Sequence, residues 1–108
     1  MKHRVEILPR AQQQLRESAA WWAEHRSPLE ASRWLSGIEA VITGLGDDPD
    51  RFPLAEESDA FEFALRELNY GVSRHPTHRV LFAVQGNRVL IYAVRHLAQQ
   101  NLTPEQLD

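Results

Sequence analysis

A chain of 108 residues, 43% hydrophobic and 25% charged, has material for one modest core, so a single domain over residues 1–108 is expected. The absence of cysteine excludes disulfides and thiolate chemistry, and the five histidines lack zinc spacing, so neither metal nor cofactor is expected. No apolar run is long enough to span a membrane and "MKHRVEILPR" has no signal-peptide core, which points to the cytoplasm, while a formal net charge of −3 argues against a nucleic-acid binder when the chain is taken whole.

His3 to Leu8 alternates and is rich in β-branched residues, the pattern of a strand. Pro9 suits a first helical turn, and Ala11, Leu15, Ala19 and Trp22 follow at helical spacing, so a helix should run to His25 or Arg26. "SPLE" then starts a second helix, with Ser27 as cap, Pro28 at the first position and Glu30 completing a capping box. Its stripe is Ala31, Trp34, Leu35, Ile38, Val41, Ile42 and Leu45, and Gly44 and Gly46 mark its end. So short a joint predicts an antiparallel helical hairpin. Asp47 to Asp59, "DDPDRFPLAEESD", is an acidic loop, and a strand is expected around Leu65 to Leu68. Thr77 to Val84 and Arg88 to His96 read as strands joined by a short turn at "QGN", and "TPEQ" starts a last helical turn at Thr103.

The order β-α-α-β-β-β predicts an α+β, two-layer domain. The late strands are antiparallel, the first strand joins their sheet, and the helical hairpin covers one face. Both faces of the last two strands are apolar. The face assigned to Arg79, Leu81, Ala83, Val89, Ile91, Ala93 and Arg95 is left uncovered by the helices, which predicts a partner site. The alternative is that the acidic loop or the tail folds over it.

The charge is unevenly spread. Leu68 to Pro104 contains no acid but holds Arg74, Arg79, Arg88, Arg95, His75, His78 and His96, while the acids collect in the preceding loop. Such asymmetry fits an anionic partner, or two halves that neutralise each other in the fold. Each strand of the hairpin ends in an Arg-His pair, and with the turn near Gly86, Arg79 falls opposite Arg95 or Ala93. Like charges so placed are unfavourable unless an anion lies between them. A phosphate or a partner's carboxylate would serve.

In order and spacing, "VEILPRAQQQL", the helix pair, "DDPDRFP", "LRELNYG", "HRVLFAV" and "VLIYAVRH" together resemble the RelE/ParE toxins of type II toxin–antitoxin systems over nearly the whole chain. The resemblance implies the RelE/ParE-like fold, a role in plasmid stabilisation and growth inhibition, and a cognate antitoxin laid across the toxin. It implies one of two targets: messenger RNA, cut at the ribosome by the nuclease branch, or DNA gyrase, bound by the ParE-like branch. Arg66, Arg79 and Arg95 match the family's strand arginines, and His96 falls near the terminal catalytic group of the nucleases. Lys2 is the only lysine, no tyrosine follows Tyr92 and the tail is not basic, which favours the ParE-like side.

A nuclease would draw on Arg79 and Arg95 for phosphate and His96 for proton transfer. A binder would use Arg66, Arg79, Leu81, Ile91 and Arg95 toward target or antitoxin. A third reading is a toxin-derived module without activity. The plain structural alternative makes these charges internal salt bridges, Arg66 with Glu67 or Glu62 and Arg95 with the acidic loop. Trp21-Trp22 reads either as a base-stacking pair or as core and interface residues. The residues set no oligomeric state.

Overall fold

The structure, a computed structural model, describes residues 2–107. Four strands and two helices form two layers: β1 (Arg4–Ile7), α1 (Pro9–His25), α2 (Pro28–Gly44), β2 (Arg66–Tyr70), β3 (His78–Gln85) and β4 (Arg88–His96). The sheet order is β1-β4-β3-β2, with β1 parallel to β4 and the other pairs antiparallel. This is the expected α+β arrangement, with the first strand joining the sheet as an edge.

Each helix starts where its residues dictate. Pro9 opens α1, and the Gln12 side-chain amide donates to the Ile7 carbonyl at 2.9 Å. At α2 the Ser27 hydroxyl accepts the Glu30 N–H at 3.1 Å, so one half of the capping box forms. Ala11 and Leu15 of α1 pack with Trp34, Ile38 and Ile42 of α2 onto Val80, Phe82, Val89, Ile91 and Val94. Burying each large aliphatic side chain there contributes roughly 1.5–3 kcal/mol.

The β3–β4 hairpin turns at Gly86, whose φ of 61° lies in the left-handed region that favours glycine; glycine at the first central position is the II′ pattern. A bulge interrupts the pair further on: Leu81 lies opposite Ala93 and Phe82 opposite Ile91, leaving Tyr92 without a partner. The bulge resets the alternation. Val89 and Ile91 before it, and Val94 after it, all pack on the helix side. Val89 and Ile91 are therefore fully buried beneath the helices, which corrects their assignment to the partner-facing surface.

The second face is not an open patch either. The 3-10 turn Glu56–Ala60 and the C-terminal segment fold over it, so Ala55, Leu65, Leu81, Ala93 and Leu102 form a second buried cluster flanked by Phe61, Phe63, Tyr92 and Leu107. The chain supplies its own cover, and Leu81 lies fully buried under it.

Candidate functional site

The two Arg-His pairs meet in register: Arg79 lies opposite Arg95, and His78 opposite His96. Since neighbouring strand residues point to opposite faces, the pairs divide, with arginines on the loop-and-tail side and histidines on the helix side.

The arginines are 6% and 7% exposed, and the chain itself provides the anions that Arg79 requires, while Arg95 finds a backbone carbonyl. Arg79 Nη2 donates to Glu57 Oε1 from the 3-10 turn and, at 2.8 Å, to Glu67 Oε1 of β2, which also accepts Arg79 Nε at 3.0 Å. The other Glu57 oxygen accepts the Leu102 N–H at 2.8 Å, and Arg95 Nη2 donates to the Gln100 carbonyl at 2.6 Å. Burial pushes the Glu57 carboxyl upward, but hydrogen bonds from Arg79 and the backbone outweigh it and hold it below the ordinary carboxylate range. Burial, then the charge of Arg79, lowers Arg95 against the pull of Glu57. One carboxylate thus ties strand, loop and tail together.

On the opposite side, the His78 and His96 rings sit 5.3 Å apart, and His78 lies 4.9 Å from the Trp34 ring with its Nδ1 2.7 Å from Thr77 Oγ1. Burial and then His96 press the His78 imidazole down to about 4. His96 is exposed, and its Nδ1 accepts the Ala98 N–H at 3.1 Å, so the neutral ring carries its proton on Nε2. Both histidines line a cleft of about 520 Å³ between α1 and the ends of β3 and β4. β1 ends opposite Ile91, so that edge of β4 lacks a strand beyond it, and Gln14 of α1 accepts the Val94 N–H at 2.7 Å. This bond sets the helix against the strand end and shapes the cleft. Its wall on the helix carries Glu17, Ser18, Trp21 and Trp22.

Arg79, Arg95 and His96 do not converge as the nuclease set requires, because the arginines are enclosed on the face opposite His96. Arg66, at the start of β2, is tied to the acidic loop, donating to the Asp50 and Phe52 carbonyls at 3.1 and 2.6 Å with the Asp50 carboxylate 3.9 Å away. Its partner is Asp50 rather than Glu67 or Glu62. Sequence reasoning did not single out Glu57, read Glu67 as a partner of Arg66 and not of Arg79, and passed over Glu17. The demand of a cross-strand arginine pair for an anion was the one available signal for the first two. Among the described residues, no group of three or more His, Cys, Asp or Glu side chains could hold a metal, and no helix is long and apolar enough to cross a membrane.

The fold is shared by solved structures. One, the chromosomal ParDE TA system from P. aeruginosa, superposes with a TM-score of 0.70 at 14% identity, covering 88% of this chain and 96% of that one. Another, the YoeB dimer from Staphylococcus aureus, has a TM-score of 0.50 at 10% identity, covering 89% and 98%. No curated protein matches the sequence. The family described as the ParE toxin of the type II toxin-antitoxin system, parDE, matches residues 5–101, and by that match this chain belongs to the ParE toxin family.

Proposed function

We propose that this chain is the toxin of a toxin–antitoxin pair, neutralised by a cognate antitoxin, and that it arrests growth by binding its target, with DNA gyrase the first to assay. One observation carries the choice of binding over RNA cleavage: Arg79 and Arg95 are occupied by Glu57, Glu67 and the Gln100 carbonyl on the face away from His96. Cations so placed are not available to a phosphate beside that imidazole.

Induction of the chain alone in a bacterial host, with growth recorded and RNA 5′ ends mapped, tests this. Growth arrest without new ends, relieved by the cognate antitoxin and accompanied by loss of supercoiling by purified gyrase, is the expected result. New ends inside translated messages would replace this reading with an endoribonuclease. That second reading draws on the facing pair His78 and His96 in one cleft, which supplies two proton-transfer groups. Arrest with neither effect would sink the gyrase assignment, and absence of arrest would leave a module without activity.

A further inference from the structure

The helix–sheet cleft carries a set of groups that the network around Arg79 and Arg95 does not use. Trp21 is 49% exposed, an unusual placement for the largest apolar side chain. One face of its ring is stacked on His25 at 4.6 Å and 15°, and Trp22 meets it edge-on at 5.6 Å and 89°. His25 does not line the cleft, whereas both indoles do. The stack is therefore a fixed aromatic platform beside an open volume, a geometry that accepts a further planar ring.

The polar groups around that platform fall into three kinds. Arg26 is exposed, lines the cleft and makes no ion pair among the described residues, and His96 adds an Nε2–H donor. Glu17 is an exposed carboxylate on the α1 wall, held by the Gln13 amide at 3.1 Å. Ser18 and Thr77 are neutral donors and acceptors. A cation, a carboxylate and neutral hydrogen-bonding groups beside an aromatic platform match a phosphate, a sugar diol and a base edge. The cleft volume of about 520 Å³ lies within the range of small-ligand sites.

We propose that this cleft binds one ribonucleotide unit, with its base stacked on Trp21, its ribose hydroxyls on Glu17 and its phosphate on Arg26 and His96. A carboxylate accepts from both hydroxyls of a ribose, so the site prefers ribonucleotide to deoxyribonucleotide. The unit could be a free nucleotide or one nucleotide of an RNA strand, since the recognising chemistry is the same. The proposal goes beyond the gyrase reading and does not rest on it; an RNA strand bound here would occupy the same cleft as the endoribonuclease reading.

Titration of the full chain with AMP, dAMP, adenosine and a short oligoadenylate tests it, followed by tryptophan fluorescence and by amide NMR shifts. Saturable binding is expected, with shifts centred on Val94, His96 and Thr77. AMP should bind more tightly than dAMP or adenosine. Trp21→Ala should weaken AMP about tenfold or more, given the usual contribution of base stacking. Glu17→Gln should bring AMP and dAMP together, and Arg26→Ala should bring AMP and adenosine together. Binding of AMP identifies a free nucleotide as sufficient, whereas binding of the oligonucleotide alone identifies a strand; both support the site. The wild-type shift map needs no variant to fold. No saturable response to any of the four ligands overturns the proposal. So do shifts confined elsewhere, Trp21→Ala binding as tightly as wild type, or an AMP-to-dAMP ratio that Glu17→Gln leaves unchanged.

Discussion

Arg79 and Arg95 face each other across the β3–β4 pair, both buried, and Glu57 compensates the repulsion from outside the sheet. Removing one partner of a buried charge pair strands the other, typically at about 3–5 kcal/mol. Because Arg79 keeps Glu67, Glu57→Gln should fall at the low end, about 3 kcal/mol by denaturant unfolding. Glu67→Gln, at a more exposed carboxylate, should lose less. Equal losses from the two variants would show that Glu57 has no special place in the network.

Stability should fall with pH in two windows. His78 is depressed from 6.5 to about 4, so between these values the unfolded chain binds a proton that the folded chain does not. Stability is then complete above 6.5 and declines as pH falls toward 4, by on the order of 3 kcal/mol in full. Glu57 is lowered below its ordinary 4.5, so its contribution is present above that pH and is lost only as pH falls further, through its folded value. Replacing His78 with Gln should flatten the upper window and leave the lower one. A pH profile that His78→Gln does not alter between 6.5 and 4.5 would refute the assignment.

Gly37 lies within α2, where alanine ordinarily gains about 1 kcal/mol over glycine. A Cβ at that position would sit 1.9 Å from Tyr70 Oη and 2.9 Å from its Cζ. The ring of β2 must move or the helix must lift. Gly37→Ala should therefore destabilise by about 1–3 kcal/mol despite its helix propensity. Adding Tyr70→Leu should make the alanine less harmful than it is beside tyrosine. If Gly37→Ala stabilises the wild-type background, the close approach is not a constraint.

The elements were legible because each carries a local signal. Ser27-Pro28 marks the start of α2, the stripe from Ala31 to Leu45 its buried face, and Gly86 the hairpin turn. Even the opposition of Arg79 and Arg95 followed from counting back from that turn, since the bulge leaves the pairing on its far side within two residues. The bulge itself has no local signal. Nothing in "VLIYAV" distinguishes Tyr92 as the unpaired residue, because both sides of β4 are buried and the apolar run is continuous. That single insertion moved Ile91 to the helix side and split the predicted faces. The closing of the second face was equally hidden. Leu102 and Glu57 come from segments whose composition reads as loop, and only the assembled sheet gives them something to cover. The candidate site shared this fate: the residue types were visible, but which face each occupied depended on register.

Leu102 tests that cover most directly. It is almost completely buried, packs with Leu65, Leu81 and Ala93, and its N–H binds Glu57 Oε2. Leu102→Ala keeps the backbone bond and removes only the side chain, so the loss should be that of a core leucine, about 2–5 kcal/mol. A chain ending at Gln99 removes the side chain, the Leu102 N–H and the Gln100 carbonyl that accepts from Arg95. It should retain the helix signal in far-UV circular dichroism, because the helix-side core does not include the tail. It should also bind a hydrophobic dye at the uncovered second face, which the full chain should not. A truncated chain as stable and as dye-silent as the parent would mean that the acidic loop alone seals that face, and that the tail contributes nothing to it.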